Sequence, residues 1–422
     1  MKPEIKQRIE QIRRGEVPDG YKRSKLGIIP EQWCIQQLQE IASISSGSTP
    51  NRSKTEYWNG NIPWVTTSEL SLGYVTKTNE AITAKAISES RLKIYSPDTL
   101  LIAMYGQGKT RGTVAKLKIQ ATINQACAAI SLNKGNPDYI FYVLQNAYDK
   151  IRRLSNSGNQ ENLNADIIKT YSIFFPSIDE QQKITTILTR QDKLIELKQR
   201  LLTQKLQEKK YWVQLFLTGK KRLHGFNLKW KHTKLNTILV ERQEKNLLQN
   251  HRICSVAVQK GIVDQIEHLG RSYAAENTSN YGIVHYGDIV YTKSPTGDFP
   301  YGIIKQSQFD EDVAVSPLYG VYKPINYEIG YLLHTFFSYS INCSNYLLPI
   351  IQKGAKNTIN ISNETFISKD LYLPVDYKEQ LVLAKLFIET DRELNLLQKD
   401  IELEKRKKKA LMQLLLTGIV RV

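Results

Sequence analysis

The chain has 422 residues, with 58 Lys and Arg against 41 Asp and Glu, a formal net charge of +17. A cationic excess of this size favours a polyanionic partner, nucleic acid being the commonest, and the length supplies material for two cores. No run of eighteen apolar residues exists to span a membrane, and Cys34, Cys127, Cys254 and Cys343 stand too far apart for a zinc site or a disulfide frame, so reduced thiols in a cytoplasmic protein are expected.

In chain order, residues 1–24 hold a charged helix with Ile5, Ile9 and Ile12 on one face, ending at the turn Pro18-Asp19-Gly20. It lacks an apolar signal core, which argues against secretion. Gly20 to Trp33 echoes Gly219 to Trp230. The opening helix is therefore expected where the end of a longer helix would stand, completing a cyclic repeat. Residues 25–177 read as a mixed domain with strands at Asn61–Thr67, Thr99–Tyr105 and Ala126–Leu132 and a helix near Tyr139–Leu154. Residues 178–219 are one long helix. Residues 220–376 repeat the domain in outline, with strands at Gly287–Thr292 and Ala314–Tyr322 and a helix near Ile329–Tyr339, and residues 377–422 are a second long helix.

The repeat is explicit in those helices. Glu180 to Gly219 aligns without a gap on Glu379 to Gly418, 199 residues on: Glu180, Gln181, Asp192, Lys209 and Gly219 recur as Glu379, Gln380, Asp391, Lys408 and Gly418. A period this long signals a duplicated half-chain. Alternating four- and three-residue steps give a heptad seam through Ile184, Leu188, Gln191, Ile195, Lys198, Leu202, Lys205, Lys209, Trp212 and Phe216. The second copy runs through Leu383, Phe387, Thr390, Leu394, Leu397, Ile401, Glu404, Lys408, Leu411 and Leu415. Each makes a rod of roughly 50 Å. The regularity favours one helix packed on its twin, with Leu188, Ile195, Leu202 and Trp212 facing Phe387, Leu394, Leu397, Ile401 and Leu411.

Catalytic motifs fail on inspection. Gly106-Gln107-Gly108-Lys109-Thr110 resembles the end of a phosphate loop, but Ala103 stands where the first Gly is required. Asn136-Pro137-Asp138-Tyr139 has Asp in place of the second Pro of an adenine-methyltransferase motif, and reads better as a helix cap. Glu208-Lys209-Lys210 loses its carboxylate in the repeat, and no metal-ligand cluster or nucleophile constellation is evident. A non-catalytic chain without metal or cofactor is expected; the alternative is a stand-alone DNA methyltransferase or nuclease. What remains are loops rich in cations, amides and aromatics, the side chains that pair with base edges and phosphates. In the first domain these offer Asn51, Arg52, Lys54, Tyr105, Gln107, Lys109, Arg111, Asn159 and Gln160. In the second they offer Gln259, Lys260, Lys293, Thr296, Tyr301, Lys353, Lys356 and Asn357.

Pro30-Glu31-Gln32-Trp33, Gly47-Ser48-Thr49-Pro50, Tyr57-Trp58-Asn59-Gly60-Asn61-Ile62-Pro63-Trp64-Val65, the Glu-Gln helix starts and the Leu-Thr-Gly helix ends resemble the specificity subunit of Type I restriction-modification systems. The resemblance spans essentially the whole chain, although the second domain lacks the Gly-x-Thr-Pro signature. It implies an α/β (mixed α+β) fold with two target recognition domains separated by two long antiparallel coiled-coil helices under a pseudo-twofold. It further implies that each domain reads one half of a bipartite double-stranded DNA target, that the helices act as spacers limiting the half-site separation to roughly 15 base pairs, and that two methyltransferase subunits dock on this scaffold with restriction (nuclease-translocase) subunits joining them. S-adenosylmethionine, ATP and magnesium would belong to those partners.

Overall fold

Two helices of 39 residues, Ile178–Phe216 and Tyr377–Leu415, organise the computed structural model, which describes residues 3–106, 108–154, 162–271, 274–353 and 359–422. Both run uninterrupted because neither contains Pro or Gly. The first is capped where Ser177 Oγ accepts from the Glu180 N–H at 3.3 Å, the second where Asp376 Oδ1 accepts from Lys378 N–H at 2.9 Å. Gly219 and Gly418 end them, each at φ 72°, a left-handed conformation that glycine adopts without strain.

The chain divides into two compact units, residues 1–198 with 400–422 and residues 199–399. The division falls inside the long helices and not at the domain edges expected from sequence, because in each unit half of one helix runs antiparallel to half of the other. In the first unit Gln191 Nε2 donates to Glu404 Oε2 at 2.7 Å, Lys198 Nζ reaches Asp400 at 2.7 Å and Lys408 Nζ reaches Asp192 at 2.6 Å. In the second, Lys209 pairs with Asp391, and Lys205 with Glu393 at 3.1 Å. The seam follows the heptad steps: Leu188, Ile195, Phe387, Leu394 and Ile401 are buried, and Leu202, Trp212, Leu397 and Leu411 half-buried. The polar seam positions are filled by ion pairs, which fixes register where an apolar seam would allow slippage.

Each unit builds the same mixed α/β scaffold. In the first, a sheet runs in the order Ala42–Ser46, Cys127–Leu132, Leu100–Ala103, Val114–Leu117, Tyr74–Val75. In the second, the order is Leu239–Glu241, Gly320–Pro324, Ile289–Tyr291, Ile304–Gln306. A second sheet in each joins one parallel pair, Trp58–Val65 with Thr122–Ile123 and Arg252–Ala257 with Val313–Val315, and a two-strand ribbon closes each unit, Cys34–Gln37 with Ser172–Phe175 and Lys231–Lys234 with Asp370–Leu373. The strands expected at Thr99–Tyr105, Ala126–Leu132 and Gly287–Thr292 are present with trimmed ends, and that at Asn61–Thr67 starts earlier, at Trp58. The one expected at Ala314–Tyr322 is instead two strands, Val313–Val315 and Gly320–Pro324, in different sheets. The helix expected near Tyr139–Leu154 is two helices, Pro137–Asn146 and Tyr148–Arg153, and its counterpart is Tyr327–Phe337. Asn136 and Asn326 cap these helices as N-caps do, each side-chain oxygen accepting from the first turn.

The domain helix, the ribbon and the long helices are locked together by the same contacts twice. Tyr142 OH donates to Asp192 Oδ2 at 2.7 Å in the first unit, and Tyr331 OH to Asp391 Oδ2 at 2.7 Å in the second. Arg421 Nε donates to Glu180 Oε1 at 2.5 Å, and Arg222 Nε to Glu379 Oε1 at 3.1 Å. Both glutamates are buried. Gly418 lies against Pro30 and Trp33, as Gly219 lies against Trp230 and Tyr372, leaving no room for a Cβ. The position before the first domain is thus held by the end of the second long helix. The opening helix, Pro3–Arg13, lies beside it, with Arg8 Nη1 donating to the Ile419 carbonyl at 3.4 Å and Tyr21 OH to the Gly418 carbonyl at 2.8 Å.

The units differ at one buried cation. Lys116 meets both Asp98, at 3.2 Å, and Asp138. On the matching strand Lys305 is also buried, but its ammonium donates to Ser338 Oγ at 3.0 Å with no carboxylate in ion-pairing range among the described residues. Burial pushes its pKa down to about 8, with Lys209 adding repulsion. Between about pH 8 and the ordinary lysine value the unfolded chain holds a proton that the folded one releases, so this group makes stability rise with pH across that window. At pH 7 the charged form is a net cost. Lys305→Met is expected to stabilise the second unit by roughly 1–3 kcal/mol, several degrees in melting temperature, while Lys116→Met lowers stability by giving up two ion pairs that outweigh the burial of its ammonium. A melting scan in which Lys305→Met unfolds earlier than the parent contradicts this.

Candidate nucleic-acid interface

The loop of Asn51, Arg52 and Lys54 is shaped by the residues around it. Gly47 crosses the strand at Ile123 so closely that a Cβ would stand 2.1 Å from the Ile123 carbonyl oxygen, which only glycine permits. The segment then runs to Lys54 under two indoles: Trp64 Nε1 donates to the Ser48 carbonyl at 3.2 Å and Trp58 Nε1 to the Asn51 carbonyl at 3.3 Å. Asn51 Oδ1 closes the turn by accepting from Ser53 N–H at 2.9 Å. The two tryptophans meet edge to face, 5.2 Å apart, because the strand Trp58–Val65 carries a bulge between Trp58 and Ile62. Asn59 takes φ 59° at that bulge, and Gly60 packs where a Cβ would lie 2.3 Å from the Ile82 carbonyl oxygen. The spacing Trp-Asn-Gly-Asn-Ile-Pro-Trp is thus the sequence of a bulge that stacks its own two ends.

Arg52 lies on this platform. Its guanidinium carbon is 4.0 Å from the Trp58 ring centroid and 5.0 Å from that of Trp64. Nη1 and Nη2 face the two carboxylate oxygens of Glu80, the second at 3.0 Å. The hydrogen bond to Arg52 holds the Glu80 carboxyl below its ordinary pKa. Lys54 Nζ donates to Tyr57 OH at 2.8 Å and approaches Glu89 at 3.3 Å; these hydrogen bonds, the tyrosine's first, raise its pKa. Both cations therefore stay charged and are held in one orientation while more than two-fifths exposed.

A second cationic loop follows the strand Leu100–Ala103. Tyr105 and Lys109 are exposed, and Tyr148 OH donates to the Lys109 carbonyl at 2.7 Å. Arg111 is buried at 8% exposure, its carbonyl accepting from Arg152 Nη1 at 2.9 Å. It supports the loop from beneath and does not lie on its outer face as the sequence suggested. A cavity of about 310 Å³ opens here, lined among others by Ser71, Lys109, Gln145 and Tyr148. Gln107, Asn159 and Gln160 lie outside the described residues.

In the second unit Gln259 and Lys260 form the exposed turn between Arg252–Ala257 and Gly261–Asp264. Lys293 is half-buried at φ 56°, its pKa lowered by burial, and Thr296 is exposed with its backbone bridged to Phe299. Tyr301 is half-buried and its carbonyl accepts from Tyr291 OH at 2.8 Å. These three stand on one loop; Gln259 and Lys260 stand on another. Lys356 and Asn357 lie outside the described residues, as does the side chain of Lys353.

Sequence reading missed the loop of the second unit that corresponds to the Arg52 loop. By its place between Leu239–Glu241 and Arg252–Ala257 it is residues 242–251. Asn246 is buried there and accepts from His251 Nδ1 at 2.9 Å, which presents Leu247 and Leu248 to solvent. His285 bridges Glu244 and Asp312, each at 2.7 Å; burial lowers its pKa, and the two carboxylates outweigh that and raise it. No Gly-x-Thr-Pro marks this loop, and only strand order identifies it.

The model of the Type I restriction modification DNA specificity domain matches residues 30–208. The chain is 31% identical over 186 residues to the Type I restriction enzyme MjaIX specificity subunit of Methanocaldococcus jannaschii, covering 43% of this chain and 42% of that protein. Against the putative Type I restriction enzyme MjaX specificity subunit of the same organism it is 24% identical over 96% of this chain and 97% of that protein. The crystal structure of the Type I restriction-modification S subunit from M. genitalium superposes with a TM-score of 0.57 at 13% identity, over 91% of this chain and 96% of that one. Residues 30–208, under half of the chain, are thus similar to that specificity domain, and the chain spans about two fifths of the length of the MjaIX subunit. The likeness to the M. genitalium subunit is one of fold, whereas the match at residues 30–208 takes in the loop and bulge that carry Arg52, Trp58 and Trp64. No helix among the described residues is long and apolar enough to cross a membrane.

Proposed function

We propose that this chain is a specificity subunit, the non-catalytic DNA reader and scaffold of a Type I restriction-modification complex. The domain of each unit reads one half of a bipartite double-stranded target. The paired helices fix the gap between the halves and dock two methyltransferase subunits, which restriction subunits join. The cofactors of methylation and cleavage belong to those partners. The observation that carries this reading is a similar scaffold built twice, with matching sheet cores and the same Tyr-Asp-Lys and Arg-Glu locks on the helices, but with unlike loops. Duplicated supports with divergent loops suit two readings of the same kind on different sequences.

Phosphate neutralisation makes such binding salt-dependent. The complex of this chain with its methyltransferase is expected to bind duplex DNA with an affinity that falls by roughly a thousandfold or more between 50 and 200 mM salt, measured by fluorescence anisotropy. Binding indifferent to salt, or absent, contradicts the reading.

A further inference from the structure

Arg52 is held in a way that a solvated surface arginine is not. Its plane is fixed by Trp58 at 4.0 Å, and its end-on pair of N–H groups is occupied by Glu80. The carboxylate takes one N–H from Nη1 and one from Nη2, which leaves Nε–H and the outer N–H of Nη2 as a parallel donor pair along the side of the guanidinium. No partner for that edge occurs among the described residues, and the side chain is 56% exposed. Two parallel donors at that spacing match the O6 and N7 acceptors on the major-groove edge of guanine, and no other base presents two acceptors there. Glu80 and the indole platform remove the rotamer freedom that a long side chain would otherwise lose on binding. Around the platform the fold spends a bulge, a positive φ at Asn59 and two close-packed glycines to keep it rigid.

We propose that Arg52, buttressed by Glu80 and stacked on Trp58, reads a guanine in the half of the target recognised by the first unit. This rests on the DNA-reading function proposed above. Lys54, held by Tyr57 and Glu89, stands two residues away as a point charge suited to a neighbouring phosphate.

The test uses the complex with methyltransferase. Once its methylated target is mapped, each guanine is replaced in turn by 7-deazaguanine, which keeps O6 and removes the N7 acceptor. One guanine is expected to weaken binding about tenfold when replaced, and Arg52→Ala should bind the natural and replaced duplexes alike at that position. Glu80→Gln should narrow the difference without abolishing it. A target with no guanine in the half changed by Arg52→Ala overturns the assignment. So does an Arg52→Ala complex that still distinguishes 7-deazaguanine, which would make the Arg52–Glu80 pair a loop staple only. A complex that marks no bipartite site overturns the parent reading as well, so the two failures are distinct.

Discussion

Exchanging Gly20 to Ser177 for the corresponding domain of a Type I specificity subunit is expected to replace one half of the DNA target and leave the other half unchanged. The first domain meets the long helices through a shared apolar core that includes Ile184, Leu188, Met412 and Leu415 and through hydrogen bonds from Trp33 Nε1 to Glu180 at 2.9 Å, Asn136 N–H to Gln181 at 2.8 Å and Tyr142 to Asp192 at 2.7 Å. An incoming domain that retains Trp, Asn and Tyr at those places and the apolar face that packs on Ile184, Leu188, Met412 and Leu415 should dock unchanged. Its loops, which contribute nothing to these locks, would carry their own specificity. Methylation mapping of the exchanged complex reads the outcome, and a change in both halves, or in neither, contradicts modular reading.

The second large effect concerns the helices. A heptad added at equivalent points of both long helices is expected to widen the gap between half-sites by about three base pairs, since one heptad lengthens a helix by roughly 10 Å. The bases of each half should be unaltered. Both helices must be extended, because the partners of each seam run antiparallel and an insertion in one alone would move Lys209 away from Asp391 and Lys408 away from Asp192. A complex that assembles and keeps its original gap contradicts the role of the helices as a ruler.

Much of this was legible in the sequence, for identifiable reasons. The long helices announce themselves because the heptad period and the repeat are properties of a single segment, and burial along Leu188, Ile195, Phe387, Leu394 and Ile401 follows them. The crosswise pairing was half visible: Asp192 and Lys209 recur as Asp391 and Lys408, and antiparallel twins must pair each recurring acid with the recurring base of the other copy. That Arg222 recurs as Arg421 at the same offset was the overlooked signal for the Arg-Glu locks. The recognition loops were less legible because their support is non-local. Arg52 can be named from sequence, but Glu80 comes from another strand and meets it only after the bulge at Asn59 and Gly60 folds the strand back. Arg111 looked like a surface cation, since local composition cannot tell which residue of a loop turns inward. Residues 242–251 were invisible because strand order, which defines their correspondence, is a tertiary property.

The most direct test of the central claim is to co-express the chain with a Type I methyltransferase subunit and locate every methylated adenine in the host DNA by single-molecule sequencing. The account predicts a single bipartite motif with a fixed gap between its two halves. A soluble complex that leaves no such motif, or marks a continuous one, contradicts it.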